Sequence, residues 1–212
     1  VGGTCLNWGC IPTKALVAST SVLADMKNAE SFGLSADNVS YDFGKIMARK
    51  DAIVAQLVKG IGFLLKKNNV ELFQGTGRLL GPGQVEVSSD GETRVVEAAK
   101  VILATGSEPA LIRALNYNGN TVITSQEALA LTEVPESLLV IGGGVIGCEF
   151  AMIFAELGTE VTIVEALERV LPMVDEEISK RMKMTLKKRK ITLHTGKMIE
   201  KVEDADGGIV AT

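Results

Sequence analysis

The chain has 212 residues, of which 46% are apolar and 23% charged, with a net charge of −4 and a pI near 5.2. That balance predicts a globular protein of one large or two small domains and leaves no electrostatic footprint for nucleic acid or an anionic membrane surface. No apolar segment approaches the roughly 20 residues that span a bilayer, nothing resembles a signal peptide, and three cysteines without a secretory segment point to a reducing compartment, the cytoplasm.

The most informative stretch comes first: Gly2, Gly3, Thr4, Cys5, then Cys10, Ile11, Pro12, Thr13 and Lys14. Two thiols open an apolar helical stretch, and Lys14 lies one helical turn past the second. A thiolate at a helix start is stabilised by exposed backbone N–H groups and the positive end of the dipole, and a nearby ammonium adds to this. Such a pair can cycle between dithiol and disulfide. A purely structural disulfide is the alternative, although so short a loop stabilises only modestly. A structural zinc site would need further ligands, and Cys148 and His194 lie at no spacing that supplies them.

From Pro12 to about Lys27 the pattern is helical, with the proline in the first turn. Asp42 reads as the N-cap of a second helix over Phe43 to Lys67, whose apolar stripe (Ile46, Met47, Ile53, Val54, Leu57, Ile61, Leu64, Leu65) is expected to face the core. Gly60 and Gly62 would permit close packing against another helix or a cofactor. Residues 70–105 change period. Val70 to Leu80, Gln84 to Val87 and Thr93 to Val96 form a predicted antiparallel meander with turns at Gly81-Pro82-Gly83 and Asp90-Gly91, feeding a buried strand over Val101 to Ala104. That strand ends in Thr105-Gly106-Ser107, where small residues let a backbone approach a ligand.

After a polar crossing segment from Glu108 to Glu136, the strand Leu138 to Ile141 runs into Gly142-Gly143-Gly144-Val145-Ile146-Gly147. A helix follows to about Leu157, then a strand over Val161 to Val164 ends at Glu165. A Gly-x-Gly-x-x-Gly turn between strand and helix, with an acid about 20 positions on, is the fingerprint of dinucleotide binding. Gly142 allows the tight turn, Gly144 admits a pyrophosphate, Gly147 allows helix to close on strand, and the helix N-terminus supplies positive charge. Glu165 would accept from ribose hydroxyls and repel a 2′-phosphate, which favours NAD over NADP. Beyond it, Glu176 to Lys190 reads as a helix with a solvated basic end, Ile191 to His194 as a strand, and Met198 to Val202 with Gly208 to Ala211 as a second meander. His194 is read as a strand residue, not a catalytic base.

The segment from Gly2 to Lys14 closely resembles the redox-active site of the flavin-dependent pyridine nucleotide-disulfide oxidoreductases. The likeness runs on: Ala104-Thr105-Gly106-Ser107-Glu108-Pro109 is similar to that family's strand-end flavin motif, and Val140 to Glu165 falls where its NAD unit belongs. The implied fold is α/β, with three-layer FAD/NAD(P)-binding Rossmann-like domains carrying β-meander insertions, both incomplete in this chain. Residues 1–108 would be a partial FAD-binding domain with the redox disulfide helix, and residues 109–212 a partial NAD-binding domain. The implied activity moves electrons from dihydrolipoyl groups of a 2-oxoacid dehydrogenase complex or glycine cleavage system, through Cys5–Cys10 and FAD, to NAD. Glutathione and mercuric reductases share the frame.

Residue by residue, the resemblance makes Cys5 the interchange thiol and Cys10 the charge-transfer thiol next to the flavin. It places Lys14 near flavin N5, paired with Glu149. Gly77, Thr105, Gly106 and Ser107 become flavin contacts, Gly142, Gly144, Val145, Ile146, Gly147 and Glu165 the NAD cradle, with Val145 at the nicotinamide pocket, and Met198 a neighbour of the adenine. It also implies a flavin-pyrophosphate unit before residue 1 and a C-terminal dimerisation domain supplying a His–Glu pair from the partner subunit of a homodimer. The chain is therefore expected to be a piece of a longer protein, lacking alone much of its flavin site and its proton shuttle. The rival expectation is a truncated core that binds nucleotide without turnover.

Overall fold

A glycine divides the first apolar stretch into two helices. In the computed structural model, which describes residues 1–205 and 208–212, α1 (Gly3–Trp8) and α2 (Cys10–Lys27) meet at Gly9. A Cβ at Gly9 would stand 2.9 Å from Thr4 O and 3.0 Å from Cys5 Cα, so only glycine lets the two helix ends come this close. The helix expected from Pro12 begins at Cys10, with Pro12 in the first turn, where N–H groups have no intrahelical partner. One stripe of α2 (Pro12, Thr13, Ala15, Leu16, Thr20, Leu23) is buried.

Helix α3 (Phe43–Lys67) starts at the predicted cap, where the Asp42 side chain accepts the Lys45 N–H at 3.0 Å. Its expected core stripe is only half realised. Met47 is buried with Ile46 packed beside it, whereas Leu57 and Leu64 are exposed and a Cβ at Gly60 or Gly62 would meet nothing within 4 Å. The helix packs on α2 and α1, and in its second half Phe63 and Leu64 are exposed while Ile61 and Leu65 are half-buried.

Strands β1 (Thr76–Gly81), β2 (Gln84–Ser89) and β3 (Glu92–Glu97) form the predicted antiparallel meander in that order. Residues 70–75, expected in the first strand, lie outside it. The predicted buried strand over Val101 to Ala104 is absent: the segment is irregular and Ile102 is 89% exposed. An apolar run becomes a buried strand only with a neighbour to bond to, and no described strand pairs with it.

The segment expected to be a polar crossing holds a short helix, α4 (Ser125–Ala128), fixed by a capping box between Thr124 and Glu127. Then β4 (Ser137–Ile141), α5 (Val145–Leu157), β5 (Glu160–Glu165), α6 (Glu176–Lys188) and β6 (Thr192–Thr195) build a parallel sheet in the order β4-β5-β6. Helix α5 packs on β4 and β5 and also on α2, and this junction is the core: Leu16, Leu23, Ala151, Ile153, Phe154, Val161 and Ile163 are all buried in one cluster. Strands β7 (Val202–Ala205) and β8 (Gly208–Ala211) pair antiparallel, later than the expected start at Met198. No described helix is long and apolar enough to cross a membrane.

Gly147 shows why the glycine spacing matters here. A Cβ there would lie well inside van der Waals contact of Gly142 O and 3.1 Å from Val140 Cγ1. Gly147→Ala should therefore lower stability by about 1–3 kcal/mol, the usual cost of overpacking. An unchanged urea midpoint would contradict this packing.

Candidate redox and nucleotide site

Cys5 on α1 and Cys10, the first residue of α2, are joined in a disulfide with a Cα–Cα distance of 4.7 Å, and both residues are exposed. The break at Gly9 lets Cys10 fold back onto Cys5, and Thr13 Oγ1 pins the link by donating to Gly9 O at 2.7 Å. No side chain caps the N-terminus of α2 and its first turn carries no acid, so its free N–H groups are available to a Cys10 thiolate when the bond opens. Exposure to reductant and a charge-stabilising helix end fit a cycling pair better than a structural staple. Among the described residues no group of three or more His, Cys, Asp or Glu could hold a metal.

Lys14, one turn further along α2, is ion-paired with Glu149 on α5. Half-exposed pairs of this kind contribute at most about 1 kcal/mol. Its importance is positional: it links the helix that carries the disulfide to the helix that starts at the glycine turn.

The turn itself is held rigidly. Gly142 has φ 108°, a conformation open to glycine, and donates its N–H to Val164 O at 2.8 Å. Gly143 is clamped at both ends: its N–H donates to Glu165 Oε2 at 2.6 Å and its carbonyl accepts the Leu171 N–H at 2.8 Å. The other oxygen of Glu165 accepts the Leu167 N–H at 2.8 Å. The carboxylate expected to face ribose is thus buried against the turn, with its remaining lone pairs left for a ligand. A Cβ at Gly144 would meet nothing within 4 Å, α5 has no side-chain cap, and Val145 and Ile146 are exposed at its mouth. An open cradle of free N–H groups at a helix start fits the pyrophosphate of a dinucleotide.

The other expected residues fall in three places. Thr105, Gly106 and Ser107 come beside the redox helix, where Thr4 Oγ1 donates to Ser107 O at 3.4 Å; these exposed residues could contact a flavin. Met198 follows Lys197, whose N–H donates to Glu165 O at 3.1 Å, so it sits at the Glu165 end of the sheet, 74% exposed. Gly77 belongs to the meander, opposite Val87 on β2. His194 is a strand residue as expected, paired with Val164. Gly9 is a positioning residue that the motif reading does not reach, although a glycine between two cysteines in a helical run is a readable signal.

Cys148 lies buried beneath the turn, its Sγ donating to Gly143 O at 3.5 Å. Burial, and then the carboxylates of Glu165 and Glu149, push its thiol up to about 11.

A family model of pyridine nucleotide-disulphide oxidoreductases matches residues 1–212, and the chain belongs to that family. It is 40% identical over 205 residues to a dihydrolipoyl dehydrogenase of Bacillus subtilis and 43% identical over 212 residues to that of Chlorobaculum tepidum, covering 96% and 100% of this chain and 45% of each relative. LpdA from Mycobacterium tuberculosis superimposes with a TM-score of 0.92 at 27% identity, over 100% of this chain and 47% of that one. The HOCl-induced flavoprotein disulfide reductase RclA from Escherichia coli gives 0.79 at 27% identity, over 99% and 46%. The chain spans about half the length of the relatives it matches.

After reduction at pH 8, a thiol-alkylating reagent should label Cys5 and Cys10 while Cys148 stays protonated and unmodified in the folded protein. Equal labelling of all three, read by mass spectrometry, would contradict the burial and raised pKa of Cys148.

Proposed function

We propose that this chain is the redox-disulfide and nucleotide-binding part of an NAD-dependent dihydrolipoyl dehydrogenase. The observation that carries the reading is the Lys14–Glu149 pair, which joins the disulfide helix to the glycine-turn helix and so brings thiol chemistry and nucleotide cradle to one helix contact. The identity to dihydrolipoyl dehydrogenases supports it.

In this reading residues 1–108 belong to an FAD-binding domain and residues 109–212 to an NAD-binding domain. Lys14, Gly77, Thr105, Gly106 and Ser107 would hold FAD; Gly142, Gly144, Val145, Ile146, Gly147, Glu165 and Met198 would hold NAD. When bound, these cofactors supply a two-electron relay from the dithiol and a hydride acceptor, chemistry that side chains lack. The negative charge of Glu165 at the strand end disfavours a 2′-phosphate and so selects NAD over NADP.

The chain's own share begins at Cys5. A thiolate of the dihydrolipoyl group attacks Cys5 Sγ, the Cys5–Cys10 bond breaks, and its electron pair leaves on Cys10, whose charge the N-terminus of α2 stabilises. The second lipoyl thiol gives up its proton and attacks the substrate sulfur of the mixed disulfide, closing the lipoyl ring and releasing the Cys5 thiolate. Two electrons have then passed to the cysteine pair and two protons to base or solvent. The intact protein would work as a cytoplasmic homodimer serving a 2-oxoacid dehydrogenase complex or glycine cleavage system.

The test is turnover. Full-length protein loaded with FAD should reduce NAD with dihydrolipoamide, and NADP at least about tenfold more slowly; Cys5→Ser or Cys10→Ser should each cost on the order of a thousandfold or more, as expected for parts that act as a unit. Nucleotide binding without any dihydrolipoamide turnover in the unaltered protein would overturn the reading in favour of a nucleotide-binding core.

A further inference from the structure

Helix α5 ends without a cation of its own: its last turn has no basic residue, and it closes on Gly158 at φ 104°. Its final carbonyls and the negative end of its dipole are met by groups from distant parts of the chain. Lys27 Nζ donates to Glu156 O at 2.8 Å and to Glu156 Oε1 at 3.1 Å, and Tyr41 OH donates to Leu157 O at 2.5 Å. Arg189 donates to the other carboxylate oxygen, Glu156 Oε2, at 3.0 Å. Both oxygens and the carbonyl of Glu156 are engaged, and its side chain is only 15% exposed.

Lys27 is the last residue of α2, and Lys14 lies near the start of that helix. The two helices are therefore fastened twice: Lys14 to Glu149 near the start of α5, and Lys27 to Glu156 at its end, with Leu16 and Leu23 of α2 buried in the shared core. With a single fastening only the buried packing would resist a tilt of α2 on α5. Two fastenings, separated by roughly two turns of α5, pin that packed contact at both ends.

We infer that Lys27, acting with Glu156 and Arg189, is a positioning residue for the redox reaction. It sets the angle at which α2 crosses α5, and so how Lys14 and the Cys5–Cys10 pair approach the glycine turn. The inference rests on the function proposed above. Lys27 acts through Lys14 and contacts neither cysteine nor the turn. Because exposed ion pairs add little stability while a misplacement of about 1 Å can cost up to about 100-fold in rate, its loss should show in turnover before it shows in melting.

In the full-length, FAD-loaded protein, Lys27→Met should lower kcat for dihydrolipoamide-driven NAD reduction about tenfold, with KM for NAD unchanged within about twofold. Lys27→Arg should restore most of the loss, and Glu156→Gln, which removes the charge but keeps the backbone carbonyl that Lys27 also reaches, should reproduce part of it. Added to Glu149→Gln, Lys27→Met should cost nothing more, because both act on one helix contact. A kcat untouched by Lys27→Met, or losses that multiply in the double variant, would overturn the inference. If the unaltered protein fails to pass electrons from dihydrolipoamide to NAD, the proposed function falls and the same cycle is read in amide hydrogen exchange of α2. Non-additive rises in exchange then support the double fastening of α2 on α5, and additive rises overturn it.

Discussion

The placement of α5 between α2 and the parallel strands brings the disulfide helix and the glycine turn to one contact. Phe150, Ala151, Ile153, Phe154 and Leu157 of α5 are buried, against Val161 and Ile163 of β5 in the sheet and Leu16 and Leu23 of α2. Each large apolar side chain so buried contributes about 1.5–3 kcal/mol, whereas the Lys14–Glu149 pair contributes at most about 1 kcal/mol. Packing therefore holds the two helices together, and the charged groups at their ends determine how they are aimed.

The start of α5 is where that packing becomes chemistry. The chain leaves β4 through a left-handed Gly142, is clamped at Gly143 by Glu165 and Leu171, and enters the helix with its first N–H groups uncapped. Leu171 itself sits at φ 50°, a conformation costly for a branched residue and held by the bond to Gly143 O. A cradle ordered before its ligand arrives loses little further entropy on binding. The N-terminus of α2, equally uncapped, offers the opposite sulfur chemistry the same electrostatic support.

Much of this was readable from the residues, and the exceptions have a common cause. The β4–α5–β5 unit was legible because the glycine spacing, the switch of apolar period and the terminal Glu165 are local signals. Asp42 and the span of α3 were legible for the same reason. Apolar periodicity reports that a residue could be buried and is silent on whether anything covers it, which is why Val101 to Ala104 and, on α3, Leu57 and Leu64 are exposed where the pattern predicts burial. Gly9 is hidden inside a run whose other residues favour helix. The partners of Lys14 and Lys27 lie 135 and 129 residues away; no spacing rule reaches that far, and Glu149 was reached through family resemblance. The clamp of Glu165 on Gly143 is not legible in the sequence, because a strand-end acid has no mark that separates a turn-holding role from a ligand-binding one.

The proposed function requires the disulfide helix and the glycine-turn helix to act as one docked unit through which electrons would pass. The most direct measurement runs the path backwards. NADH is added anaerobically to the full-length, FAD-loaded protein, free thiols are alkylated at once, and the cysteines are read by mass spectrometry. The account predicts that Cys5 becomes alkylated as NADH is consumed, ahead of Cys10, whose proposed place is next to the flavin. NADH consumption with the Cys5–Cys10 disulfide intact would contradict it.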